Sequence, residues 1–171
     1  MIKKVGKPSK KKKEKEFNIV SYLPYPSCIL SNFAAHNFTV DGTMCHSMEG
    51  FLQALKFDRV ERQIEICKLV GKAAKNSGKV RNNAWKTVQK LWWNGRVYDR
   101  HGKNYQKLLD KAFEALGQNH SFQKALFRTG NTKLTHSLGW NDPYQTILTN
   151  NEFCSRLTHL RKTLRSGGYK R

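Results

Sequence analysis

Glu49, Gln53 and Lys56 put a carboxylate, a carboxamide and an amine on one short stretch, HSMEGFLQALKF, His46 to Phe57. Within it Met48, Phe51, Leu52 and Leu55 recur at i, i+3, i+4 and i+7, the spacing of one apolar helix face. At 3.6 residues per turn, the three polar groups share a neighbouring stripe, roughly 80–140° from the centre of that face. A helix that buries its apolar side would therefore hold acid, amide and amine at the edge of the core, where the wall of a pocket lies. Such a carboxylate can stabilise a developing cation or activate a water. It is also an ordinary helix-start residue: the macrodipole favours an acid in the first turn, and Ser47 is a candidate N-cap.

The surrounding elements must position this helix. FNIVSYL reads as a strand and PYPS breaks it. NFTVDGTMCHS reads as a hairpin turning at Asp41-Gly42. DRVERQIEICKLVGKAAKN reads as one helix with Val60, Ile64, Cys67 and Ala74 inward. Trp85, Val88 and Trp92 are spaced as the next helix, and YDRHGKN is a loop. Tyr105, Leu108, Leu109, Ala112, Phe113 and Leu116 predict a helix closed by Gly117. SFQKALFRTG predicts a short one, with Ser121 as cap and Gly130 as stop. TKLTHSL alternates like a strand, WNDPYQT is a loop, and Phe153, Leu157, Leu160 and Leu164 predict a final helix. The expected fold is α+β and predominantly helical, a single compact domain over 17–165 with a few short strands. A Lys-rich tail over 1–16 and a frayed end over 166–171 flank it.

Composition narrows the partners. The chain of 171 residues carries a formal charge of +20, of which the first sixteen residues supply +6 and the rest +14. A folded body this basic attracts polyanions: DNA or RNA, nucleotides, phosphorylated sugars. The tail, nearly without apolar residues, is expected to be disordered, and its readings are an import signal, a nucleic-acid arm or a solvated end. Cys28, Cys45, Cys67 and Cys154 form no Cys-x-x-Cys pair, so free thiols are expected and a structural zinc is not. Without an apolar leader or a membrane-length run, the expected setting is cytoplasmic, or nuclear if the tail is an import signal.

Further stretches carry a resemblance. LSNF (Leu30, Ser31, Asn32, Phe33) precedes the Asp41-Gly42 hairpin, and S-x-E-x-x-x-Q-A-x-K-F follows, with Ser47, Glu49, Gln53, Ala54, Lys56 and Phe57. LFRTGNTKLTHS, then Asp142-Pro143-Tyr144 and EFCSRLTHLR complete the series. In this order the motifs resemble the NADAR family of YbiA-like N-glycosidases over about residues 27 to 164. The resemblance implies a hydrolase of N-glycosidic bonds at a ribose-phosphate or ADP-ribose unit, working without a cofactor. Implied substrates are ADP-ribosylated guanine or ribosylamine phosphate intermediates of riboflavin synthesis; the alternative is a non-catalytic module that binds ADP-ribose or nucleic acid. It places the catalytic carboxylate at Glu49. Asp142 is then a second acid, an acceptor for a ribose hydroxyl or a turn residue, and His136 a general acid or a packed imidazole. Asn32, beside Phe33, bonds a ribose or orients Glu49. Lys56 and Arg81 are candidates for phosphate, with Gln53 beside them; Trp93 and Trp140 are candidate walls for a flat base. The chain departs from the family at His136, where an acid is frequent, and at QTIL, where Trp-Gly is frequent. GRVYDRHGKNY reads as an inserted loop.

Overall fold

The computed structural model describes residues 14–168. Residues 1–13, most of the expected Lys-rich tail, and 169–171 lie outside that range. Strand β1 (Glu16–Asn18) begins one residue ahead of the expected domain start and pairs in parallel with β6 (Lys133–Thr135), Phe17 opposite Leu134. Short helix α1 (Ser27–Leu30) follows, then the antiparallel hairpin β2 (Phe38–Val40) and β3 (Thr43–Cys45). Asp41 and Gly42 turn it with φ of 47° and 82°, the double left-handed geometry that matches strand twist.

Helix α2 (Met48–Ala54) carries the opening motif, and every residue of it is buried. Its apolar face joins a core containing Val40, Trp93, Leu109, Phe113 and Leu157. Ser47 caps it, its hydroxyl accepting from the Gly50 N–H at 2.9 Å and donating to Leu69 O at 2.8 Å. The contact is close because residue 50 is glycine: a Cβ there would lie 2.8 Å from Leu69 O and 3.0 Å from Ile66 O.

The single helix expected over residues 58–76 is two, α3 (Val60–Cys67) and α4 (Gly71–Gly78). The carbonyls of Cys67 and Leu69 are taken by His46 N–H and Ser47, and Gly71 sits at φ 56°, so the chain turns there. The inward face of α3 is Gln63, Ile66 and Cys67, while Ile64 points outward. Gln63 seals it, donating to Phe57 O and Trp92 O and accepting from Asn94 N–H.

A 3-10 turn (Lys79–Arg81) leads into α5 (Asn82–Val88), which stops at Gln89 in the left-handed region. Trp92 does not extend this helix, and Val88 is exposed. The Asn94-Gly95 turn, with φ of 49° and 78°, instead folds β4 (Lys90–Trp93) onto β5 (Arg96–Asp99). Much of the stretch read as a loop is thus a hairpin. Strand alternation sends Leu91 and Trp93 inward.

Helix α6 (Lys103–Leu116) buries all six expected residues. Helix α7 (His120–Arg128) is capped by Asn119, not Ser121, which is its second residue. Helix α8 (Asn150–Arg165) opens with a capping box of Thr149 and Glu152. Residues 166–168 close it, Gly167 at φ 77° and the Gly168 N–H on Thr163 O at 2.9 Å. The architecture is α+β, helices around three two-stranded ladders. Among the described residues no helix is long and apolar enough to cross a membrane. All four cysteines are free thiols.

Candidate active site

A cleft of about 490 Å³ opens where α2, α4, α5 and the segment between β6 and α8 meet. The polar stripe of α2, Glu49 and Gln53, forms one wall together with Lys56, which was expected within the helix but lies in the turn just beyond its end. Gln53 Nε2 donates to Glu49 Oε1 at 2.8 Å; Lys56 Nζ donates to Gln53 Oε1 at 2.6 Å and to Asn82 Oδ1 at 2.7 Å. A continuous chain, Asn82 to Lys56 to Gln53 to Glu49, therefore links α5 to the carboxylate. The LSNF segment anchors the other end, because Asn32 O accepts the Glu49 backbone N–H at 2.9 Å, one of the donors a helix start leaves free.

Glu49 is 8 % exposed. Burial pushes its carboxyl above the ordinary range, while the Gln53 hydrogen bond and the charges of Lys56 and Lys75 pull it down without cancelling the rise. The helix N-terminus alone suggests an easily ionised group; burial overrides it. Burial also draws the Lys56 ammonium down to about 8, against the attraction of Glu49, and Lys86 and Lys75 push it the same way.

Gln53 holds its place because residue 78 has no side chain. A Cβ on Gly78 would land on Gln53 Oε1 and lie 2.8 Å from its Cδ. The opposite wall is pinned from behind. Arg100, almost fully buried, holds both Glu152 carboxylate oxygens, at 3.0 and 2.8 Å, and donates to Thr146 O. Tyr105 donates to Ile147 O, and Trp140 O accepts the Asn150 N–H. Thr146 and Ile147 both line the cleft.

Seven of the sequence-derived candidates line this one cleft: Asn32, Phe33, Glu49, Gln53, Lys56, His136 and Trp140. His136 Nδ1 lies 2.6 Å from Ile19 O. A carbonyl only accepts, so Nδ1 carries a proton and donates it to Ile19 O. Trp140 is 65 % exposed at the rim.

Three candidates lie elsewhere. Trp93, expected as a wall for a flat base, is buried in the core, edge-on to Phe51, with its indole N–H on Asp41 Oδ2 at 3.0 Å. Strand β4 replaces the helical period there, and its alternation turns Trp93 inward. Asp142 is an exposed turn residue: its Oδ1 accepts the Tyr144 N–H, and its carbonyl those of Gln145 and Thr146. Arg81 turns away, its Nε donating to Lys56 O and its guanidinium over the Phe57 ring. Glu49 is left as the only carboxylate on the cleft wall among the described residues.

Sequence reasoning missed Lys75, Asn82, Trp85 and Lys86, which also line the cleft. Asn82, Trp85 and Lys86 fall at i, i+3 and i+4, a shared helix face that marks them once the helix boundary is right. Nothing local marks Lys75. Among the described residues no cluster of three His, Cys, Asp or Glu side chains is placed to hold a metal.

The fold has known relatives. Residues 24–162 match the family described as bacteriophage protein GP30.3, and the chain belongs to that family. It is 38 % identical, over 151 residues, to a 17.1 kDa protein in the Gp30-rIII intergenic region of enterobacteria phage T4. That match spans 87 % of this chain and 99 % of the phage T4 protein. The NMR structure of the E. coli protein YbiA superposes with a TM-score of 0.61 at 19 % identity, covering 94 % of this chain and 90 % of that one. The fold is therefore YbiA-like.

Proposed function

We propose that this protein is a hydrolase that cleaves an N-glycosidic bond at a ribose-phosphate or ADP-ribose unit, as its NADAR-like motifs imply. The observation that carries the reading is the charge layout of the cleft: among the described residues one carboxylate, Glu49, lines a cleft that also holds Lys56, Lys75 and Lys86. A phosphorylated glycoside needs cations for its phosphate and a negative group beside its anomeric carbon.

In the reaction the C1′–N bond breaks and its electron pair leaves on nitrogen. The ribose ring takes up positive charge, as at other glycosidic centres. The Glu49 carboxylate stabilises that charge and accepts a proton from water as the water oxygen bonds to C1′. The proton ends on the departing nitrogen, and the products are the free base or amine and a sugar with a C1′ hydroxyl. A carboxyl raised above its ordinary range suits this exchange, because a group closer to neutrality both takes and returns a proton. Phe33 and Trp140 supply flat surfaces for a base. No metal or cofactor enters the scheme.

The basic body favours substrates that are, or are attached to, polyanions, including ADP-ribosylated guanine in DNA or RNA. Riboflavin-pathway ribosylamine phosphates carry the same bond and charge. A non-catalytic ADP-ribose or nucleic-acid module is the second reading. The position of Asp142 outside the cleft favours it, because among the described residues Glu49 is then the one carboxyl on the cleft wall and must serve every proton transfer. The deciding experiment incubates the full chain with a DNA oligonucleotide ADP-ribosylated on guanine, a ribosylamine phosphate and NAD, and follows release of the sugar product by mass spectrometry. Release from one of the three is expected; binding without release from any of them favours the second reading.

A further inference from the structure

We propose that the indole N–H of Trp85 is a ligand contact, donating to an anionic oxygen of phosphate type held between α4 and α5 with Lys75 and Lys86. The proposal deepens the hydrolase reading by assigning the anionic end of the substrate, but it stands on binding alone.

Trp85 is 1 % exposed and lines the cleft, yet its Nε1 has no acceptor among the described residues. The contrast is internal: Trp93, buried to the same degree, places its Nε1 3.0 Å from Asp41 Oδ2. A buried donor left without a partner forfeits its hydration for nothing in return, and such exceptions are few in native proteins. An indole only donates, so whatever completes it must bring an acceptor.

The surroundings select an anion. Lys86, one residue on, and Lys75 on α4 face the same cleft, and neither has a carboxylate partner among the described residues. Lys75 lies over the ring of Phe33, 5.7 Å from its centre, and both residues line the cleft. Asn82 is already spent on Lys56, and Glu49 on Gln53. Two cations without carboxylate partners among the described residues and one unpaired donor thus belong to one cleft, and an oxyanion bound between them would supply the acceptor that the indole lacks.

The test reads the four tryptophan indoles of the ¹⁵N-labelled full chain by NMR. Trp85→Phe assigns one signal by its loss. Inorganic phosphate and ADP-ribose are expected to shift that signal, and adenosine, which lacks phosphate, is not. Trp85→Phe is expected to weaken ADP-ribose binding roughly tenfold or more, the size of one hydrogen bond to a charged group. Lys86→Gln should weaken it with Trp85 intact, which covers the case in which Trp85→Phe folds poorly. A Trp85 indole unmoved by saturating phosphate and ADP-ribose overturns the proposal, as does unchanged affinity in both variants. Phosphate binding at Trp85 without turnover of any N-glycoside removes the hydrolase reading and leaves the subsite. Turnover with an unmoved indole does the reverse.

Discussion

Lys56 is the residue whose charge the cleft controls most directly. Its ammonium, drawn down by burial to about 8, loses its proton well below the ordinary lysine range. Affinity for a phosphate-bearing ligand should therefore fall as pH rises through about 8. Titration calorimetry with ADP-ribose, over roughly pH 6.5–9.5, checks this, and Lys56→Met should bind about tenfold more weakly at neutral pH and lack that step. A wild-type affinity that stays flat through that range contradicts the assignment. Linkage gives the stability sign. Between about 8 and the ordinary value of 10.5 the unfolded chain holds the proton more tightly, so this lysine makes stability rise with pH there. Glu49, raised in the fold, acts oppositely: its contribution is complete below its unfolded value and is lost as pH rises through the folded one. Glu49, Gln53 and Lys56 were legible because a single helix period places them together. Trp85 and Lys75 were not, since only the packing of α4 and α5 on α2 brings them to the same wall.

At the scale of elements, the cleft depends on how closely α4 approaches α2, and Gly78 sets that approach. Gly78→Ala would put a methyl group on the Gln53 carboxamide and push it off both Glu49 and Lys56. Overpacking of this kind costs about 1–3 kcal/mol. Thermal unfolding should register that loss, and activity should fall further than stability does; a variant with unchanged melting and activity contradicts the close contact. Several elements were legible from pattern alone. The hairpin at Asp41-Gly42, α2, α6 and α8 each have a clean period with a matching cap or turn. The hairpin at Asn94-Gly95 was hidden because Trp85, Val88 and Trp92 also fit a helical spacing, and that longer pattern masked the turn. The break between α3 and α4 has no proline to announce it. It comes from tertiary contacts, the Cys67 and Leu69 carbonyls taken by the residues that start α2.

Across the whole molecule, the ion pair of Arg100 with Glu152 joins the start of α8 to the loop before α6, and through Thr146 holds the far wall of the cleft. Burial alone would raise the Glu152 carboxyl, but hydrogen bonds from Arg100 and the Thr149 N–H outweigh it and hold the group below its ordinary 4.5. The stability it contributes is present above that value and is lost as pH falls through the folded one. Acid unfolding should follow this loss. Arg100→Met should cost about 3–5 kcal/mol near neutrality, the usual cost of stripping one partner from a buried pair. Chemical denaturation at neutral and acid pH would measure both, and a loss under about 1 kcal/mol would show the pair to be dispensable. Mean composition and charge pointed to an anionic partner, but no composition shows that the cations converge. The +20 charge is spread over the chain, and the folded arrangement gathers Lys56, Lys75 and Lys86 around one carboxylate.

If the cleft is catalytic, the Glu49 carboxylate does the chemistry. Glu49→Gln keeps the shape of the side chain and an oxygen for the Gln53 N–H, while removing the charge and the exchangeable proton. Single-turnover release of sugar product from the preferred N-glycoside, measured side by side for wild type and Glu49→Gln, tests it most directly. A fall of at least about 10²-fold, with melting temperature and ligand affinity retained, is the predicted result. Release at the wild-type rate by the folded variant would contradict it.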